Sequence, residues 1–479
     1  FRFNVKTLGT KLKYNDKVIE LENVKSKISL KNLIDNKFSL THLSISSKSL
    51  EIKNLISFFR LIKDNSQLFF LEKLIKKGYL IADIDIEFNE IGKIKENYNI
   101  TGSVKDVKVD FFKKYTLEQL NFIFEIKKDT FKFNKAKIVF SNQNLFLPEF
   151  SATKHKNSFL ISGFLNNKNF ELDKKALKRL TQSNSLYSDI ENINFDSENK
   201  FSFFIDKKYK IKNLSLSSEI KLNKLEYLNK FDLITFFPKT KEKFNFLNHK
   251  IKIDYKNKAL KINGSGDIRI QDKIDKINKN IENKDKNIFF SSSLEIIDNP
   301  LNLNILNFSK SNDTSLIIKI AGKRNKNKEI NFKSISLNEE NNDIYIKNLF
   351  LSKNYKISNL ERVNLNYSDK ENLNNKFSIF KKNKNYVLEG TSFNANNLID
   401  KLLKDTTKKK KKLFNRNFRI NVDLKKVNLD KENQIKNLKG FLSYKDNDIV
   451  ESNLEALFSK DKKLLFSIKT SDDEKITTL

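Results

Sequence analysis

Residues able to do chemistry are few in this chain. Three histidines, His42, His155 and His249, stand about a hundred residues apart among 479, and there is no cysteine. A zinc site draws on close pairs of Cys or His, so no metal site is expected. Without cysteine there is no thiolate nucleophile and no disulfide. No G-x-S-x-G elbow supports a Ser/His/Asp triad. "GSG" at 264–266 is followed by strand-like "DIRI", so it lacks the helix N-terminus of a phosphate loop. His155 lies in the polar turn "KHKN" and reads as a solvated residue. The carboxylates of "DIDIE" (83–87) alternate with isoleucines, which puts them on the polar side of a strand. No catalytic residue, metal ligand or cofactor is assigned, and the chain is expected not to be an enzyme.

Charge offers a second route to function. The formal net charge is +33, which suits a nucleic acid or an anionic lipid surface. Lysine as a generic surface residue gives the same sum. The second reading is favoured, because the lysines are spread along the whole chain and arginine, the better phosphate fork, is scarce. The run "TTKKKKKLF" (406–414) falls between an expected helix and an expected strand. It reads as a solvated linker, with no recognition helix, RNP-like aromatic motif or zinc finger beside it.

Hydrophobic residues make up 38% of the chain, including 42 Phe, enough to build a core and exclude full disorder. With 10 Gly and 3 Pro, turns must rely on Asn, Asp, Ser and Lys. No apolar run approaches the ~18 residues of a membrane-spanning helix. The chain begins at Phe1 with no methionine. It is read as a fragment or processed chain, with any signal or membrane anchor upstream.

The elements that would position a site are mostly strands. Residues 1–53 read as an N-terminal β segment. At 54–78 the apolar spacing turns helical, with a break near Asp64–Ser66 and Gly78 as a C′ stop. A β-meander follows over 79–180, closing on a short helix at 171–180. It is clearest in "AKIVF-SNQN-LFLPEFSATK-HKN-SFLISGF". Residues 181–200 read as a linker, 201–270 as a β segment with a short helix at 225–237, and 271–287 as a polar linker. A further β segment spans 288–395. A helix and Lys-rich linker occupy 396–413, the helix at 396–405, and a C-terminal meander fills 414–479.

The pattern apolar-x-apolar-x-Gly recurs five times, ending at Gly102, Gly163, Gly264, Gly322 and Gly390. A glycine late in a strand marks a bulge, a bend or a close backbone approach. The spacing is too irregular for a strict solenoid. Chance recurrence in a β-rich chain and one repeated supersecondary unit both remain open.

"YLIADIDIEF" (79–88) is the sharpest of the strands. Leu80, Ala82, Ile84, Ile86 and Phe88 share its greasy face. Too little amphipathic helix exists to cover all such faces, so they stack as sandwiches, close as barrels or curl into an open trough. A trough floor implies a ligand, and an acyl chain is the natural one. Ile100, Phe159 and Ile161 are expected to join it. The fold class is therefore mainly β: an elongated, curled antiparallel sheet forming a repeating groove, with a few short helices. Its strands, ~4.8 Å apart, would extend roughly 100 Å.

Two stretches also resemble a known family. "SLTHLSISSKSLEIKNLISFFRLIK" with "GYLIADIDIEFNEIGKIKENYNITGSVKDVKVDF", and "YVLEGTSFNANNLIDKLL" with residues 418–479, are similar to the AsmA-like superfamily. The nearest branch is the YhdP-type, with TamB as a relative. The resemblance implies a periplasmic β-groove anchored to the inner membrane of a Gram-negative bacterium. It further implies bridge-like transfer of phospholipid acyl chains toward the outer membrane, with outer-membrane or periplasmic proteins as partners. The family brings no catalytic residues, and the strong basicity departs from it. A structural envelope scaffold with a filled β core is the alternative, and a basic nucleic-acid-binding protein the less favoured one.

Overall fold

The computed structural model describes residues 2–478, except 63–65, 112–114, 141, 182–188, 209, 398–416, 431, 446–447, 460–461 and 472–473. The fold is mainly β: one long, mostly antiparallel sheet of 28 strands, with four short helices among the described residues. The chain forms two compact units. The first comprises 1–187, 192–221 and 253–257; the second comprises 188–191, 222–252 and 258–479.

In the first unit β1 (Arg2–Leu8) and β2 (Lys11–Tyr14) both pair with β3 (Lys17–Ser29). Then β4 (Leu40–Ser47) joins β3, and β5 (Leu50–Glu51) lies with β4 along β6 (Ile75–Glu87). From there β7 (Asn99–Phe111), β8 (Tyr115–Lys127), β9 (Thr130–Phe140), β10 (Gln143–His155), β11 (Ser158–Asp173) and β12 (Ile190–Asp206) follow as antiparallel neighbours. A short helix α1 (Leu30–Ile34) follows β3, capped by Ser29, whose Oγ accepts from the Asn32 amide at 3.3 Å. Between β5 and β6 lie α2 (Ile52–Ile62) and α3 (Ser66–Leu74). Arg60 of α2 pairs with Glu72 of α3 and lies over the Phe69 ring. The α2 side chains Leu55 and Phe58 pack with Ile19, Leu21 and Ile45 of the sheet. Ile52 and Leu74 pack against Ala82, Val104, Val107, Val109 and Phe124. Helix α4 (Lys174–Thr181) follows β11 and buries Leu177.

The second unit continues the same alternation. β13 (Ile211–Leu228) and β14 (Lys243–Lys256) divide their residues between the two units, and β15 (Ala259–Arg269), β16 (Asp275–Lys284) and β17 (Asn287–Ile296) follow. The chain then loops out, and the two-residue strands β18 (Asn302–Leu303) and β19 (Phe308–Ser309) pair with each other. Next come β20 (Leu316–Arg324), β21 (Ile330–Glu339), β22 (Asn342–Leu351), β23 (Ile357–Ser368), β24 (Asn374–Lys382) and β25 (Asn385–Asn394), all antiparallel. β26 (Phe418–Asn428) lies parallel to β25, and β27 (Gln434–Lys445), β28 (Asp448–Ser459), β29 (Lys462–Ser471) and β30 (Glu474–Thr478) finish the sheet. Its core gathers Ile296, Leu301, Phe308 and Leu316 with side chains from β21 to β28.

Asparagine makes the turns, as its sequence share suggests. The two-residue hairpins β14–β15 and β16–β17 turn on Asn257–Lys258 and Asp285–Lys286, all four at positive φ. That is the type I′ geometry matching the strand twist.

Four expectations need correction. Residues 225–237 are not a helix: β13 runs to Leu228, and turns follow. The Asn229 side chain accepts from the Phe231 amide at 2.8 Å, and only a single turn closes from Phe237 N to Leu233 O. Pro238 has no amide to continue it. Residues 271–287 are not a linker, since β16 fills most of the stretch. β12 begins at Ile190, inside the stretch read as a linker over 181–200, of which 182–188 lie outside the described residues. Gly78 does not stop a helix. It lies in β6 at φ 139°, where an added Cβ would stand 2.9 Å from the Val107 Cα. Most of the expected 396–405 helix, and the run Lys408–Lys412, lie outside the described residues.

Candidate functional site

Strand register decides which side chains share a face, because partners directly opposite point the same way. Starting from Ile84 in the first unit, the partners run Ile45, Ile84 and Ile100 across β4, β6 and β7. They continue as Ile126, Phe131, Ala152, Ile161 and Phe203 across β8 to β12. One residue along each strand, the row reads Ser46, Asp83, Thr101, Glu125, Lys132, Ser151, Ser162 and Ser202. Eight strands thus hold one wholly apolar row and one wholly polar row on opposite faces. The polar side includes a shallow pocket of about 210 Å³ lined by Ser151, Ser162, Ser202, Ser215 and Ser217.

The residues singled out in the sequence fall as follows. Ile84, Ile100 and Ile161 lie in the apolar row itself. Ala82 and Leu80 sit one and two steps along β6 on the same face, opposite Gly102 and Val104. Ala82 belongs to the cluster that also takes in Ile52 of α2 and Leu74 of α3. Ile86 opposes Leu43, and Phe159 opposes Ile205. Ile84, Ile86 and Ile100 are half-buried, Ile161 is buried and Phe159 is 39% exposed. Phe88 lies beyond β6, bridged to Ile94, with its ring 5.5 Å from Phe38. Among the histidines, His155 is exposed at the end of β10, just before the turn, and His42 Nε2 lies 3.6 Å from Asp85.

The recurring glycines lie on the apolar face, and most are roofed by an aromatic ring. A Cβ added at Gly102 would meet the Phe124 ring at 2.7 Å, at Gly163 the Phe201 ring at 3.1 Å and at Gly322 the Phe290 ring at 2.9 Å, while at Gly390 it would meet the Phe377 Cβ at 2.5 Å. Phe124, Phe201 and Phe377 stand directly opposite their glycines, as does Phe290. A cross-strand aromatic over glycine restores the contact that the missing side chain gives up. The motif is therefore one packing unit used again.

The fifth glycine departs. Gly264 faces Lys279, whose Cε would stand 3.3 Å from an added Cβ. From there the row continues through Ser292, Ile320, Ile335, Ile346, Val363, Ile379 and Leu388 to Val422. Lys279 is the one charged residue in it. Its Nζ lies 5.3 Å from the centroid of the Phe246 ring, and burial pushes its ammonium below the ordinary lysine range. Beside it, fully buried His249 packs edge-on to Phe246 at 5.6 Å. His249 Nε2 donates to the Asp267 carbonyl at 2.9 Å, which leaves Nδ1 unprotonated and without a partner. Burial, with help from the charge of Lys279, holds its pKa below the usual imidazole range.

Sequence reading did not single out Lys279, and it took His249 only as one of three isolated histidines. A signal for Lys279 existed: in "DKINKNIEN" it alternates with Ile277 and Ile281, which puts it on the apolar side of a strand. His249 carried no such signal. Among the described residues no cluster of His, Cys, Asp or Glu is arranged to hold a metal, and no helix is long and apolar enough to cross a membrane. No protein-family profile, no curated protein and no solved structure matches this chain.

Proposed function

We propose that this chain is a non-enzymatic envelope protein whose apolar β-face conducts phospholipid between inner and outer membrane. In this reading the face curls into a trough, and acyl chains lie along the rows that cross the strands. One observation carries it: the row Ile45–Ile84–Ile100–Ile126 and its continuation stay apolar over eight strands, with Ile84 and Ile100 only half-buried. A long apolar floor with no fixed polar contacts suits an acyl chain and leaves the headgroup in water. The resemblance to the AsmA-like superfamily supports the same reading, and it implies a periplasmic protein anchored to the inner membrane. Nucleic acid is the less favoured partner in this reading, because the lysines are spread along the whole chain and arginine is scarce. The filled-core scaffold is favoured by the buried clusters, most strongly by Ile296, Phe308 and Leu316, which have no exposure.

A photo-reactive residue at position 84, in cells making the functional full-length protein, separates the two readings. Phospholipid adducts are expected. With an open floor, Ile84→Asp leaves the fold standing while lipid passage stops. In a packed core an unpaired charge costs several kcal/mol and unfolds the region. Protein-only adducts together with collapse of Ile84→Asp would sink the proposal.

A further inference from the structure

Lys279 breaks a pattern kept elsewhere in the molecule. At Gly102, Gly163 and Gly322 a phenylalanine ring fills the space over the missing side chain, whereas over Gly264 the filler is a lysine stem. The substitution places a cation inside an otherwise uncharged row, between Ile277 and Ile281 along β16 and between Gly264 and Ser292 across it. Among the described residues no carboxylate pairs with Lys279, although most other ion pairs of this protein join Lys to Asp or Glu. A lysine that merely lengthened the apolar stem would bring its ammonium to water. This one holds its Nζ over the Phe246 ring, beside His249.

From this juxtaposition we infer that Lys279 is an anion-binding point on the lipid face, and that its ligand is the carboxylate of a single-chain fatty acid. The inference rests on the acyl-chain reading above and names a substrate class for it. The neighbouring donors are already used: Ser292 Oγ donates to the Asn278 carbonyl at 2.9 Å, and His249 Nε2 to the Asp267 carbonyl. One free ammonium is therefore left for a ligand, while the Lys279 stem fills the space over Gly264. A carboxylate at the end of a single chain needs no donor beyond the three N–H groups of that ammonium. The tail would run along Ile320, Ile335 and Ile346, the half-buried continuation of the same row.

Isothermal titration of the 479-residue chain with laurate and with 1-dodecanol, both as monomers, tests this. The two ligands share a tail and differ at the headgroup. Laurate is expected to bind about tenfold tighter, the scale of a charge-assisted contact shielded from water. Lys279→Met should remove that preference by weakening laurate alone, and Lys279→Arg should retain it. Lys279→Gln serves in its place if the methionine variant does not fold. Equal binding of both ligands by the natural chain, or a laurate preference that survives in Lys279→Met, overturns the inference and leaves the acyl reading standing. Binding of neither overturns both. A lysophosphatidylglycerol of the same tail length that outcompetes laurate in a Lys279-dependent way overturns the carboxylate assignment.

Discussion

The two units close one end of their apolar face by different means. In the first, α2 and α3 lie against it, and Ile52 and Leu74 join the cluster of Val104, Val107 and Phe124. In the second, the loop between β17 and β20 does the work. Leu301 and Phe308 enter a core in which Ile296, Phe308 and Leu316 have no exposure at all, and the Phe308 ring stands edge-on to Tyr367 at 5.9 Å. The Tyr367 hydroxyl donates to the Leu306 carbonyl of that loop at 3.0 Å, and burial raises its pKa well above the ordinary phenol range. Away from each seal the same strands carry half-buried rows, Ile84 and Ile100 in one unit and Ile320 and Ile335 in the other. Whether a row is core or floor thus depends on what chain crosses it. Strand periodicity alone says nothing of that.

The largest effect is expected where the seal is complete. Phe308→Ala should cost about 3–5 kcal/mol, the range for emptying a fully packed aromatic site. Phe58→Ala in the helical seal should fall at the lower end, because its cluster has fewer buried members and α2 has room to settle. Denaturant melts of the two variants check the ranking. Equal costs would mean that the helices seal as tightly as the loop.

Gly102→Ala comes next. Its Cβ would stand 2.2 Å from the Ile81 carbonyl oxygen, a backbone atom unable to move aside, and 2.7 Å from Phe124. Overpacking of this kind costs roughly 1–3 kcal/mol. A melt unchanged by Gly102→Ala would remove the claim that ring-over-glycine packing is the repeated unit.

These contrasts also show what was legible in the chain. The helical seal announced itself, since the leucines and phenylalanines of 54–78 recur at helical spacing. The loop seal did not: "NPLNLNILNFSKSNDT" mixes turn residues with apolar ones at no period. Long-range packing, with Tyr367 among its partners, makes Phe308 core. Similarly "LEYLNKFDLITFFP" has helical spacing on paper, but the Asn229 side chain takes the amide that a helix would have used. The strand faces were readable from alternation. Their pairing across eight strands was not, because register depends on bulges at residues such as Asp106 and Lys135, both at positive φ. Of the candidate site, the Ile84 row was therefore visible strand by strand, while Lys279 was hidden by the polar letters around it.

A smaller, pH-dependent effect is expected at His249. Its folded-state pKa lies below the usual imidazole range, burial being the main cause. A depressed imidazole pKa means that the unfolded chain takes up the proton first as pH falls. Stability from this group is thus full above pH ~6.5 and declines as pH falls through the unfolded and then the folded pKa, at no more than about 1.4 kcal/mol per pH unit. Melting temperature followed from pH 8 to pH 5 should drop for the natural chain, and His249→Leu should flatten the part due to this residue. An identical pH slope in the variant would show that the bare Nδ1 is not what titrates.

Gly264→Ala carries the smallest effect and the sharpest contrast with Gly102. Nothing in the backbone approaches its Cβ closely. The nearest atoms, Ile251 Cγ1 and Lys279 Cε at 3.3 Å, belong to side chains that shift by a few tenths of an ångström at little cost. Gly264 lies in β15 without a positive φ, so alanine fits its backbone. Removing a glycine then narrows the unfolded ensemble, a gain of about 0.4–1 kcal/mol. The variant should melt at or slightly above the natural chain, while Gly102→Ala melts below it. A loss of 1 kcal/mol or more at Gly264 would mean that the Lys279 stem is held as firmly as the Phe124 ring, and the difference drawn between the fifth glycine and the other four would disappear.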